Sequence, residues 1–276
     1  MFDWFPTWVF LCFAVILAAV VFSLAVILLI RRYVHIDYLR RHHDLAGFLI
    51  GTLGTLYSVL LGFTIVNSQD RYVDIISHVN KEAFLCADLY RMSSVFPMQI
   101  QQQIQQAVLA YLHSVVVDEW PLMQEKKESP ITLKTLEELW TPYQTFEPTT
   151  EQEKLWLRQS LQVLYDFNSA RLERIYSSWD SLGKLSWAAL IMGGLFLVIF
   201  LFFFGHENLW VQFAINTIFI VYFVFTMYVV YSLDHPFKQP EAIEPRAYEV
   251  IYSYYNNTRG KPISPEDPRI LKNITR

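Results

Sequence analysis

Four uncharged apolar runs constrain this chain more than anything else in it: Trp8 to Ile30, Leu45 to Val66, Leu185 to Phe204 and Leu209 to Leu233. Each has about 20 to 25 residues, the length an α-helix needs to cross about 30 Å of hydrocarbon. Backbone polar groups in lipid must be satisfied within the segment, which makes such runs helices. Buried core helices are the other reading, and four such runs in one chain argue against it. The remainder reads as ordinary soluble helix. Charged residues are only 17% of the total while hydrophobic ones are 53%, which excludes a wholly soluble or a disordered protein. Two cysteines, with Cys12 inside an apolar run, exclude a disulfide-built domain. A net charge of −4 offers no general attraction to nucleic acid. The expected environment is a lipid bilayer, as a multi-pass protein. The leading Met1-Phe2-Asp3-Trp4 carries no positive charge and the first run is long, so it is read as a retained span rather than a signal peptide.

Tryptophans mark the span ends: Trp4 and Trp8, Trp187 and Trp210, as expected of indoles at headgroup level. Spans three and four are joined by Gly205 to Asn208 and form a tight hairpin. The linker between spans one and two carries Arg31, Arg32, Arg40 and Arg41. The positive-inside rule therefore places this linker in the cytoplasm and both termini outside.

Boundaries follow from the runs: 1–67 with spans one and two, a helical extramembrane domain over 68–184, a membrane hairpin over 185–233, and a short helix and tail over 234–276. In the insertion, Ile76, Val79, Ala83, Cys86 and Tyr90 recur at helical spacing, so span two is expected to continue to about Phe96. Pro97 starts the next helix, carrying Ile100, Ile104, Val108, Tyr111 and Val115 to near Trp120. A charged loop over 124–128 follows. Ser129-Pro130 caps a short helix to Trp140. Thr150 to Glu153 forms a capping box. It opens a long helix whose stripe is Leu157, Leu161, Leu164, Asn168, Leu172, Ile175, Trp179 and Leu182, close to a coiled-coil seam. No strong breaker precedes span three, since Gly183 alone costs about 1 kcal/mol. A last helix is expected from about Pro245 to Asn256, then a tail containing Pro262, Pro265 and Pro268.

Several local motifs occur together: His42-His43-Asp44 with Gly47, Lys81-Glu82-Ala83, Asp88-Leu89-Tyr90-Arg91, Asp118-Glu119-Trp120 and Leu233-Asp234-His235-Pro236-Phe237. In this order and spacing the chain resembles a bacterial membrane family described as bestrophin-like. The resemblance implies an all-α, polytopic, multi-pass protein of a bacterial inner (plasma) membrane, with four spans and a helical domain between spans two and three. It also implies a homo-oligomeric, anion-conducting channel with its pore on the second span, and a cytoplasmic insertion, opposite to the arginine count. The acidic, calcium-binding run of eukaryotic bestrophins is not matched: Pro236-Phe237 is followed by Lys238-Gln239-Pro240. No cofactor is expected.

The residues agree with a passive pore. There is no phosphate loop, zinc-spaced cysteine pair or nucleophile elbow, so no enzyme is expected. His35, Asp37, His42, His43 and Asp44 could ligate a metal, but Asp44 suits a helix cap better, and no metal site is assigned. No span holds an ionisable residue of the kind a coupled transporter needs; Asn216 is the most polar group at depth, explained by bonding between helices. On span two, Gly47, Gly51, Gly54, Ser58 and Gly62 form a small-residue packing face. Beside it, Phe48, Thr52, Thr55, Val59, Phe63 and Val66 form the candidate pore lining for an inorganic ion. The alternative is a non-conducting sensor or scaffold whose helical domain binds a partner protein.

Overall fold

The computed structural model describes residues 7–33, 43–202, 208–238 and 242–257. Among the described residues every regular element is a helix: α1 (Thr7–Tyr33), α2 (His43–Met92), α3 (Met98–Ser114), α4 (Trp120–Met123), α5 (Pro130–Thr145), α6 (Glu151–Trp179), α7 (Lys184–Phe202), α8 (Leu209–Asp234) and α9 (Arg246–Asn257). Three helical stretches are long and apolar enough to cross a membrane, within 47–95, 151–202 and 209–234, and α1 carries the further apolar run Phe13–Leu29. The chain divides into two compact units. One draws on residues 1–72 and 181–241, the other on 73–180 and 242–276.

The first unit holds the membrane helices. Its core joins α1, α7 and α8 through Ile27, Phe202 and Ile220, with Val26, Val198 and Phe213 packed around them. Lipid is as apolar as these side chains, so close packing rather than exclusion of water holds such helices together. The close approach comes from α7. A Cβ on Gly193 would lie 2.7 Å from the Tyr57 ring, and one on Gly194 would overlap the Phe223 ring. Asn216 is buried as expected of a polar residue at depth, but its Nδ2 has no partner among the described residues. Asn208 caps α8 by accepting from the Trp210 N–H at 2.9 Å.

The second unit contains the C-terminal part of α2 and helices α3 to α6 and α9. Ile75, Val79, Ala83, Cys86 and Tyr90 are buried on α2, and Ile104, Val108, Tyr111 and Val115 follow on α3 and beyond. Ser129 accepts from the Thr132 N–H. The capping box is present in both halves: Glu153 N–H reaches Thr150 Oγ1 at 3.1 Å, and Glu153 Oε2 accepts from Thr150 N–H at 3.1 Å.

Four expectations change. Pro97 stands at the N-cap of α3 with ψ 148° rather than in its first turn. The helix expected to run to near Trp120 is not regular after Ser114 but widens into a π-helical turn, Val115–Glu119, where the Thr132 hydroxyl donates to the Ser114 carbonyl at 3.2 Å. Such turns mark places where a helix accommodates a local demand. The buried stripe of α6 runs through Leu164, Phe167, Arg171, Arg174 and Ser178, one step round from the expected seam, on which Leu172 and Trp179 are exposed. Finally, α6 and α7 are not one helix. Asp180 turns to ψ 142°, and residues 180–183 are non-helical.

Candidate functional site

Of the three long apolar stretches, the one that includes α2 is the least packed: 6% of its most apolar window is buried, against 22% and 17% for those that include α7 and α8. The expected pore stripe is exposed along its length, with Phe48 at 71%, Val59 at 54%, Phe63 at 67% and Val66 at 56%. Thr52 and Thr55 turn their hydroxyls back to the helix, donating to the Phe48 and Gly51 carbonyls at 3.1 and 2.8 Å. Each hydroxyl oxygen keeps lone pairs for water or another donor.

Among the described residues, three glycines of the small-residue face are without a close neighbour: a Cβ on Gly51, Gly54 or Gly62 would meet nothing within 4 Å. Gly54, Ser58 and Gly62 instead floor a groove of about 390 Å³ walled by Tyr57, Leu197 and Phe223. Gly47 is half-buried. Packing within the subunit therefore leaves this face open, and the tight contacts fall on Gly193 and Gly194, which the spacing argument passed over.

A second polar feature lies in the same unit. The Asp234 carboxylate is 1% exposed and pairs with Arg71 at 2.6 Å. Its Oδ1 also accepts from the Leu182 backbone N–H at 2.6 Å, and its Oδ2 from the Trp187 indole at 3.0 Å. Trp187, expected at headgroup level, thus has a protein partner. Trp210 is 76% exposed, as an interfacial indole would be. An acid in the last turn of α8 opposes that helix dipole; the guanidinium and the N–H groups at the start of α7 compensate it.

In the second unit two glutamates and two arginines are fully enclosed. Arg174 Nε donates to Glu82 Oε2 at 2.6 Å, and its Nη2 to Glu82 Oε1 at 3.1 Å and Glu119 Oε2 at 2.7 Å. Arg171 Nη2 donates to Glu119 Oε1 at 2.7 Å, and the Tyr111 hydroxyl to Glu82 Oε1 at 2.6 Å. Glu119 ends an amphipathic stretch, where acids are commonly solvated, yet it is 0% exposed. Burial first, then the Glu82 charge, pushes the Tyr111 hydroxyl well above its ordinary pKa. Two acids facing two bases leave the core neutral, and bidentate Arg–carboxylate geometry is the kind that withstands burial. With every carboxylate committed, this cluster is a structural core and has no free acid or base for catalysis.

The proposed ligands His35, Asp37 and His42 lie outside the described residues, as do the side chains of His43 and Asp44. Among the described residues no group of three or more His, Cys, Asp or Glu could hold a metal.

Comparison with known proteins agrees with the architecture. A family model for the Bestrophin-like domain matches residues 17–248. The crystal structure of a point mutant of a bacterial bestrophin homolog from Klebsiella pneumoniae superposes with a TM-score of 0.68 at 12% identity, covering 88% of this chain and 99% of that one. A comparison with curated proteins gives no match. Two helices, a helical insertion, a second pair of membrane helices and the matched family domain lead to one assignment: the chain belongs to the Bestrophin-like family.

Proposed function

We propose that this protein is the subunit of a homo-oligomeric ion channel that conducts anions along a pathway lined by α2. The observation that carries the reading is the near absence of packing around the membrane half of α2, with 6% of its window buried. In hydrocarbon a helix gains little from apolar side chains alone and associates through small residues that let backbones approach. Gly51, Gly54 and Gly62 offer that surface, and among the described residues nothing lies within 4 Å of a Cβ placed on them. The same helix of neighbouring copies is the natural partner. Closure of such contacts around an axis leaves the adjoining Phe48, Thr52, Thr55, Val59, Phe63 and Val66 stripe facing inward. The four apolar runs, residues 45–66 of α2 included, hold no Asp, Glu, Lys, Arg or His that would couple transport to protons, which suits a passive pore.

Single-channel recording from purified protein in planar bilayers tests the reading. Unitary currents whose reversal potential follows the anion gradient support it. Silent bilayers, with a partner protein retained by the full-length chain, favour the scaffold.

A further inference from the structure

The sequence around residues 180–183 gives no strong reason for a helix to stop. Asp180, Ser181, Leu182 and Gly183 include no proline, and the one glycine costs about 1 kcal/mol in a helix. The flanking turns are intact. The Asp180 N–H still bonds the Tyr176 carbonyl at 3.1 Å, and the Trp187 N–H bonds the Gly183 carbonyl at 3.1 Å. Asp180 keeps a helical φ of −63°, and its ψ alone departs. What the break gains lies elsewhere. The Leu182 N–H, which a continuous helix would point at the Ser178 carbonyl, goes to Asp234 Oδ1. The Trp187 indole goes to the other oxygen, and Arg71 on α2 shares Oδ1 with Leu182 at 2.6 Å.

We propose that Asp234 is a latch. Its carboxylate holds residues 180–183 in the broken form, and its shared bond to Arg71 ties that form to the position of α2. When the bonds to Asp234 are lost, residues 180–183 close into helix, Asp180 by rotation of its ψ from 142°. The device is bistable because the two forms differ by few groups: a backbone N–H, an indole N–H and a guanidinium on one side, a restored helical turn on the other. Displacement of α2 that draws Arg71 away unlatches the start of α7, and closure of the gap frees Arg71 in turn. The link to conduction rests on the reading of α2 as the pore helix; the latch itself does not.

Nitroxides on cysteines replacing Ser177 and Lys184, in the full chain in lipid nanodiscs, report the state of the gap. In a continuous helix the two sites are seven residues apart, about 10 Å along the axis. Asp234→Asn keeps the side-chain size and replaces one acceptor with a donor. Bonds to a charged group contribute about 1.5 to 3 kcal/mol each, so the population should shift about tenfold or more toward the helical spacing. Trp187→Phe, which removes one donor and keeps an aromatic ring, should shift it the same way by less. Adding Leu182→Pro to Asp234→Asn should restore the wild-type spacing, since proline does not continue a helix. Spectra of Asp234→Asn and Trp187→Phe identical to wild type would overturn the latch. Bilayer currents form the second arm. A changed open probability in Asp234→Asn, restored by Leu182→Pro, supports coupling to the pore. Shifted spectra with unchanged currents in a conducting protein overturn the coupling, whereas shifted spectra with a silent wild type leave the latch standing and remove the channel reading.

Discussion

Arg174 and Glu82, 92 positions apart in sequence, form a two-pronged ion pair with both side chains fully buried. Removing one partner leaves the other charge stranded in a low-dielectric core. Glu82→Leu or Arg174→Met should each destabilise the second unit by about 3 to 5 kcal/mol. The pair Glu82→Leu with Arg174→Met should cost less than the sum of its parts, because neither charge is then left alone. Denaturant unfolding of the four proteins, followed by near-ultraviolet circular dichroism, closes this cycle.

The same cluster sets an alkaline limit. Burial raises the hydroxyl pKa of Tyr111 and Tyr248 well above 10.0; the Glu82 charge adds to it at Tyr111, and the Arg174 charge opposes it at Tyr248 without cancelling it. A group whose folded pKa is raised contributes stability that is fully present below its unfolded value, about 10, and lost as pH rises further. Stability of the second unit should therefore fall above pH about 10. The two phenols should stay neutral until the fold opens, and tyrosinate absorbance at alkaline pH should rise in step with unfolding. Tyr111→Phe should lessen the alkaline loss; equal slopes in wild type and variant would remove Tyr111 as a cause.

Much of this architecture was legible because its causes are local. The spans follow from uncharged length, the Thr150–Glu153 box from four adjacent residues, and the helices of the insertion from spacing. The ionic core has distant causes. Charged residues count as surface in a hydrophobic pattern, and Glu119 reaches Arg171 and Arg174 across 52 and 55 positions. One clue was present: Leu164, Phe167, Arg171, Arg174 and Ser178 fall on a single helical stripe, so two arginines interrupt an inward face. The break after α6 was illegible for the same reason, since its acceptor is Asp234, 52 positions from Leu182. The pore stripe lies on a helix whose neighbours, in our reading, belong to other copies of the chain, so its packing pattern is not completed within one sequence.

Glycines on α7 and α2 should behave differently. Gly193→Ala and Gly194→Ala would press a methyl group into Tyr57 and Phe223, and overpacking costs about 1 to 3 kcal/mol. Each should lower the melting temperature of the solubilised subunit. A Cβ on Gly51 or Gly54 meets nothing within 4 Å among the described residues, so Gly51→Leu and Gly54→Leu should instead split the oligomer, with Leu56→Ile silent. Size-exclusion profiles alongside thermal melts separate the two effects; an intact oligomer in both leucine variants would remove the α2 face as an interface.

Orientation is open to a direct measurement. Linker arginines at 31, 32, 40 and 41 favour an external C-terminal side, so a reporter fused after Lys238 should read as external. Changing all four to Gln should weaken that preference. A wild-type fusion reached only from the cytoplasm would reject the charge argument and agree with the topology that the family resemblance implies.

The conduction path can be probed on α2 itself. Val59 and Phe63 are one turn apart on the exposed stripe, at 54% and 67% exposure, and repeated around an axis they would form adjacent apolar rings. Water leaves a narrow apolar constriction, and a dewetted ring blocks ions without any side chain filling the pore. Thr52 and Thr55, nearer the other end of the stripe, have oxygens that can still accept from water, so that stretch should stay wet. Val59→Ser and Phe63→Ala should therefore widen and wet the constriction and raise conductance or open probability. Leu53→Ala and Leu60→Ala lie outside the stripe and should change stability while leaving current alone. Unitary recordings of the four variants beside a conducting wild type decide the matter, and unchanged currents in Val59→Ser and Phe63→Ala would move the gate away from this part of α2.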